Sequence, residues 1–157
     1  MPVLQISPYT AEEYNELAAL YADVASRAFA YDHTRFIHAD QFQSLIEDED
    51  VWVLRCEGEI VGFIGYYTPE HFLHSLYIRY THHKRGFGRQ ALQFLLEHYG
   101  CVHELKVDRI NLSALKFYEA MGYADVTVKA DAHQTWLRLR SPLRIALKSA
   151  AAIAVGD

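Results

Sequence analysis

With 157 residues, 51% of them apolar and 13% aromatic, the chain is sized for one folded domain with a sizeable core and is not a disordered protein. No apolar run approaches the roughly 18 residues a membrane span needs, and two cysteines, Cys56 and Cys101, are too few for a disulfide framework. The net charge of −5 conceals a split, because residues 1–70 carry 13 acids and three bases whereas the remaining 87 carry seven acids and 12 bases. Such a split suits two differently charged partners meeting on one small protein.

Val3-Leu4-Gln5-Ile6 reads as a first strand closed by Pro8. Thr10 followed by Glu13 is a capping-box signature, and it opens a helix running through Leu17, Leu20, Tyr21, Val24 and Phe29. A second helix is expected from Asp40 to Glu49, with Phe42, Leu45 and Ile46 on its apolar face. Val51–Cys56 and Ile60–Tyr67 read as a hairpin joined by Glu57-Gly58-Glu59, and Pro69 ends it. A longer strand is expected from Phe72 to Tyr80, then a turn through Thr81–Arg85 into a helix that starts at Gly86 or Gly88 and ends at Tyr99, capped by Gly100.

Glu104–Val107 predicts a short strand. Asn111 or Ser113 begins a further helix that stops at Gly122, and two last strands are expected near 124–129 and 135–139. There is no internal repeat, linker or domain boundary, so residues 1–141 form one domain and the alanine-rich 142–157 a partly helical tail. That tail could pack on the domain, form a dimer contact or fray. Helices first, then an antiparallel meander, then two strand–helix units imply an α/β (α+β) fold on a mixed sheet. The basic half holds no nucleic-acid recognition motif in a chain that is acidic overall. The nine histidines form no ligand-spaced metal set. The N-terminus lacks the basic region and apolar stretch of a signal peptide, which points to a cytoplasmic, membrane-free protein.

His83-Lys84-Arg85-Gly86-Phe87-Gly88-Arg89 follows a strand and opens a helix. Glycines there permit a tight turn with several unpaired N–H groups, and the helix start adds partial positive charge. The combination suits a phosphate or pyrophosphate, and Arg79, Lys84, Arg85 and Arg89 surround it in the sequence. Dinucleotide folds need a third glycine where Ala91 stands, and the Walker pattern is absent.

About 25 residues on comes Asn111-Leu112-Ser113-Ala114-Leu115-Lys116-Phe117-Tyr118-Glu119-Ala120-Met121-Gly122-Tyr123. Alone this is an amphipathic helix with a glycine stop. Together, the two segments resemble the paired signatures of the GNAT superfamily of acyl-CoA-dependent N-acyltransferases. One is a Gln/Arg-x-x-Gly-x-Gly/Ala cofactor turn. The other runs from an Asn, through an Ala and an aromatic–Tyr–Glu triplet, to a Gly–aromatic pair. One departure is His83, which stands where the family usually has Gln or Arg.

The resemblance implies a GNAT-like three-layer fold, with a mostly antiparallel sheet of six or seven strands, splayed between the fourth and fifth, and about four flanking helices. It implies acetyl-CoA as cosubstrate and direct attack by a primary amine in a ternary complex. Leu76, Ile78 and Tyr80 would pair with the pantetheine arm, and the N–H near Ile78 would stabilise the developing oxyanion. His83, Lys84, Arg85, Gly86, Phe87, Gly88, Arg89, Asn111, Phe117 and Tyr118 complete the expected cofactor contacts. Tyr118 matches the family's general acid to the sulfur. His74, four residues before Ile78, is the favoured base, with Glu70 and His71 as alternatives, or water alone.

The acidic half, including Asp32, Asp40, Glu47, Asp48, Glu49 and Asp50, implies a cationic acceptor, a small molecule or a peptide amine. Phe29, Tyr31, Phe36, Tyr66 and Tyr67 are candidates to shape its pocket. A homodimer is possible by family analogy. An acyl-CoA sensor without turnover is the alternative, and a nucleotide-binding module is a third reading that the glycine spacing disfavours.

Overall fold

Four antiparallel strands lie in chain order in the first half of the molecule: β1 (Gln5–Pro8), β2 (Asp50–Cys56), β3 (Glu59–Tyr67) and β4 (Phe72–Ile78). The computed structural model describes residues 2–128 and 134–146, and the chain divides into two units, Met1–Ala91 and Leu92–Asp157. β1 begins two residues later than the apolar pattern predicts. The Leu4 N–H donates to Gln90 Oε1 at 2.8 Å and Gln90 Nε2 donates to the Pro2 carbonyl at 3.0 Å, so residues 2–4 are tied to a side chain instead of a ladder. Pro8 lies inside the strand, opposite Trp52, and is tolerated because only one edge of β1 is paired.

Helix α1 (Tyr14–Ala28) follows a 3-10 turn at Ala11–Glu13, where Glu13 accepts the Thr10 N–H at 2.7 Å. The capping box read from Thr10 and Glu13 is therefore present, and Glu13 also pairs with Arg55 of β2. Leu17, Leu20, Tyr21 and Val24 form the buried face of α1 and pack with Phe42, Val53 and Phe63. Phe42 meets Phe63 and Tyr14 edge-on, both at 5.4 Å between centroids, a geometry that adds to simple area burial.

The second helix is shorter than the expected 40–49. A 3-10 turn at Ala39–Gln41 leads into α2 (Phe42–Ile46), after which Glu47 is extended and Asp48 takes φ 63°. Four successive acids, Glu47 to Asp50, would crowd the negative end of the helix dipole. Ending at Ile46 releases them, and Glu49 can turn toward the sheet.

Between β2 and β3 the turn is the two-residue Glu57-Gly58, with φ 52° and 84°, the left-handed pair a tight hairpin demands. In β3 two glycines face β4. A Cβ on Gly62 would stand 2.3 Å from the Tyr77 carbonyl oxygen and 3.1 Å from Ile78 Cα, and one on Gly65 would stand 3.2 Å from Ser75 Cβ. The β3–β4 register also slips: Gly65 opposes Ser75 but Tyr66 opposes Leu73, leaving His74 as the extra residue of a bulge. β4 ends at Ile78 and not at Tyr80, because Tyr80–His82 close a 3-10 turn.

Helix α3 (Phe87–Tyr99) contributes its first turn to the first unit and the remainder to the second. Gly100 ends it at φ 68°, its N–H on the Leu96 carbonyl at 3.0 Å, as a C-cap glycine should. In the second unit β5 (Glu104–Asp108) pairs antiparallel with β7 (Trp136–Arg140), and β7 with β6 (Ala124–Asp125). Between β5 and β6 lies α4 (Leu112–Ala120), after which Gly122 takes φ 90°.

β6 is far shorter than the expected 124–129. Asp125 Oδ1 accepts the Thr127 N–H at 2.8 Å, and Thr127 Oγ1 accepts the Arg138 N–H at 2.9 Å, so a side chain takes a ladder position. Residue 129 lies outside the described residues, as do 147–157. Of the expected tail, 142–146 adopt neither helix nor strand, and Ile145 is buried.

The described residues thus form an α+β fold of seven strands and four α-helices, with every pairing inside each unit antiparallel. No described helix is long and apolar enough to cross a membrane. Both cysteines are free thiols.

Gly62→Ala places a methyl against the Tyr77 carbonyl with no side chain able to yield, so it should cost about 1–3 kcal/mol of stability. Gly58→Ala, with open space around it, should cost only the positive-φ strain of about 1 kcal/mol. Urea unfolding of the two variants checks the ordering.

Candidate active site

The glycine turn is built by two left-handed residues. After the extended His83, Lys84 at φ 62° and Gly86 at φ 81° deliver the chain into α3 at Phe87. A turn of this kind, at the start of a 13-residue helix, is the setting in which backbone N–H groups and the helix dipole can receive an anion. Lys84 and Arg85 are exposed beside it, and Gly86, Gly88 and Arg89 are half-buried. Phe87 is 1% exposed, so only its backbone can meet a ligand.

Two of the basic or polar groups near the turn in sequence are committed elsewhere. Arg79 donates Nε to the Ile60 carbonyl at 2.9 Å and lies 3.6 Å from Glu16; it belongs to the β3–α1 side and not to the glycine turn. His83 Nε2 lies 2.7 Å from the Ile78 carbonyl, and because a carbonyl only accepts, the ring donates there. The histidine that departs from the family pattern thus ties the turn back to the end of β4.

Of the expected pantetheine-binding residues, Leu76 and Ile78 are half-buried on β4, whereas Tyr80 stands 61% exposed in the following 3-10 turn. Their neighbour Tyr77 packs edge-on against Tyr21 at 5.6 Å. Burial pushes the Tyr77 phenol up to about 12, so it stays protonated and serves packing.

The histidine of the bulge is differently placed. His74 Nδ1 lies 2.6 Å from Glu49 Oε1, with the His74 side chain 45% exposed and that of Glu49 only 4%. The His74 ring also packs at 4.7 Å from Phe72 and 5.9 Å from Tyr67. Burial raises the Glu49 carboxyl above its ordinary value, with Asp50 and Asp48 adding to the rise and His74 opposing it. The rival base His71 sits at φ 48° with Nδ1 3.2 Å from the buried Tyr66 hydroxyl, and Glu70 is exposed in the 3-10 turn at Thr68–Glu70.

Glu49 also lines a groove of about 490 Å³, with Pro8, Tyr9, Ile46, Asp50, Val51 and Trp52. Two of the expected acceptor acids, Glu49 and Asp50, are therefore brought together. Asp32 instead closes a local turn, where bonds from Thr34 hold its carboxyl below the ordinary range, and Asp40 is almost fully exposed. Among the candidate aromatics, Tyr66 is wholly buried and Phe36 is 73% exposed; neither lines the groove. Phe29 and Tyr31 pack on each other edge-on.

In the second unit Asn111 caps α4, with Oδ1 accepting the Ala114 N–H at 3.3 Å. Tyr118 is half-buried with its ring 5.0 Å from Tyr123 and 5.1 Å from Phe117. No group of three or more potential metal ligands occurs among the described residues.

Sequence reasoning missed the Glu49–His74 pair and the role of Gly65. The available signal was Gly62 and Gly65 inside a strand, a pattern that marks close backbone approach.

The model of the Acetyltransferase (GNAT) family matches residues 12–123. The chain resembles the acetyltransferase from Thermus thermophilus at 23% identity and TM-score 0.68, with 90% of this chain and 99% of that one covered. It resembles the ribosomal-protein-S18-alanine N-acetyltransferase from Escherichia coli at 18% identity and TM-score 0.64, covering 93% and 97%. The PaiA N-acetyltransferase from Thermoplasma acidophilum, solved in complex with coenzyme A, aligns at 13% identity and TM-score 0.66, covering 88% and 98%. These likenesses show a shared fold. A search of curated proteins found no match. With the family model spanning the glycine turn and the Asn111–Tyr123 segment, this chain belongs to the GNAT family of acetyltransferases.

Proposed function

We propose that the protein, with residues 1–141 as its domain, transfers an acetyl group from acetyl-CoA to a primary amine on a cationic acceptor. The observation that carries this reading is the turn at residues 83–88, with Lys84 and Gly86 left-handed and α3 beginning at Phe87. Its geometry suits a pyrophosphate, and its two exposed cations suit the charge. The coenzyme A complex of a protein with this fold supports the same ligand class. Bound acetyl-CoA supplies an activated thioester.

The chain's own residues divide the remaining work. Backbone groups of β4 near Leu76 and Ile78 would hold the pantetheine arm, and the N–H near Ile78 would stabilise negative charge on the thioester oxygen. Holding the amine beside the thioester supplies much of the acceleration. Tyr118 delivers a proton to the departing sulfur, and His74 takes one from the attacking nitrogen. Glu49 and Asp50 on the groove wall, with Tyr9 and Trp52, favour an ammonium-bearing acceptor.

Acetyl-CoA at about 100 times its dissociation constant should add roughly 2.7 kcal/mol of stability, a shift of several degrees. ATP and NAD should give none. Absence of a shift with acetyl-CoA and with longer acyl-CoAs would overturn the reading of the turn.

Tyr118→Phe should lower kcat on the order of 10²-fold and keep the thermal shift, as measured by coenzyme A release. In a panel of amines, spermidine and a lysine peptide should turn over. Turnover only with neutral or anionic amines would remove the cationic acceptor, and no turnover with any amine would favour an acyl-CoA sensor.

A further inference from the structure

The bulge in β4 and the gap in β3 act on the same pair of side chains. Because His74 is the residue left over between the Gly65–Ser75 and Tyr66–Leu73 pairs, it is not committed to a regular cross-strand position, and bulges commonly re-aim one side chain in this way. Glu49 approaches from the start of β2, across β3. It passes over Gly65, with Glu49 Oε1 3.8 Å from the point where a Gly65 Cβ would sit, an ordinary van der Waals separation. From there it reaches His74 Nδ1 at 2.6 Å.

The carboxylate is held in poor solvation for this one contact. Its side chain is 4% exposed, and Oε2 is buried without a hydrogen-bond partner among the described residues. A lone surface pair of this kind would be worth little, and a buried carboxylate with one oxygen unsatisfied is a net cost. The arrangement therefore has no account in stability. The charged groups bearing on Glu49 are His74, Asp48 and Asp50.

We propose that Glu49 is a positioning residue for His74: by accepting the Nδ1–H, it fixes the imidazole tautomer so that Nε2 presents its lone pair to the acceptor nitrogen. Against an ionised carboxylate, Nδ1 must carry the proton, and Phe72 and Tyr67 hold the ring's plane. The nitrogen lone pair forms the new N–C bond as the C–S bond breaks, with its electron pair going to sulfur. The nitrogen's proton passes to His74 Nε2, and sulfur receives one from Tyr118; both groups then exchange with solvent. This inference rests on His74 being the base.

A double-mutant cycle separates the two claims. Glu49→Gln keeps shape but lets the amide donate to Nδ1 as well as accept from it. With coenzyme A release scored on spermidine, or on whichever panel amine turns over fastest, Glu49→Gln should lower kcat about 10- to 100-fold. It should add almost nothing to His74→Gln, and the acetyl-CoA thermal shift should be retained throughout. In the ligand-free protein, nitrogen-15 NMR should show His74 as a single Nδ1–H tautomer, replaced by a mixture in Glu49→Gln.

Equal losses from Glu49→Gln with and without His74, or an unchanged tautomer with full kcat, would overturn the positioning role and leave the base reading intact. Full kcat in His74→Gln would overturn the base reading itself, whatever the NMR shows.

Stability moves the other way. A raised folded-state pKa means that folding binds the Glu49 proton more tightly than the unfolded chain does, so ionising it costs stability as pH rises through the folded value. Glu49→Gln should therefore unfold no lower than wild type at pH 7, with its advantage shrinking as pH falls toward the ordinary 4.5. A clear loss of stability at pH 7 would mark Glu49 as a structural residue instead.

Discussion

Two missing side chains in β3 set the terms for everything near β4. At Gly62 the Tyr77 carbonyl comes so close that a Cβ would force the backbone to shift, and at Gly65 the Glu49 carboxylate crosses the strand. The first closes β3 onto the end of β4, beside Ile78, where the thioester would lie. The second opens a route from β2 to β4 that a larger residue would narrow. Glycine inside a strand sacrifices packing and backbone entropy, and here both losses fall beside the proposed chemistry.

The turn after β4 shows a related economy. In this family pattern the first motif position normally carries Gln or Arg, and here it carries His83. The imidazole does not reach outward in this structure; it binds the Ile78 carbonyl. That bond links the glycine turn directly to Ile78 at the end of β4, the residue proposed above to face the thioester. Lys84 and Arg85 stay exposed beside the turn, and the side chain at this motif position serves the scaffold.

Much of this architecture was legible wherever local chemistry decides conformation. The capping box at Thr10 and Glu13, the glycine stops at Gly100 and Gly122, and the strand–turn–helix context of Gly86 and Gly88 all rest on rules that operate within a few residues. What was not legible depended on partners distant in sequence. Apolar spacing alone extends the second helix to Glu49, but the acid run breaks it at Ile46. The strand expected at 124–129 shrinks because Asp125 and Thr127 side chains occupy backbone positions. Arg79 looked like part of a phosphate cluster until its bonds to the Ile60 carbonyl and its nearness to Glu16 were seen. The His74–Glu49 pair spans 25 residues and follows from a bulge that carries no short-range signature; the glycines of β3 hinted only that something approaches that strand closely.

The acidic first half has an explanation more specific than general attraction. Of its acids, Glu13 and Glu16 face Arg55 and Arg79, Asp23 pairs with Arg27, and Asp32 closes its own turn. Burial opposes the charge of Glu13 as well, but there Thr10 and Arg55 outweigh it; at Glu49 burial prevails over His74, and Asp50 and Asp48 raise its carboxyl further. A cation arriving beside Glu49 and Asp50 would relieve this repulsion, so an ammonium in the groove and an ionised Glu49 favour each other. Acceptor binding would then strengthen the very carboxylate that orients His74, coupling recognition of a charged amine to the readiness of its base.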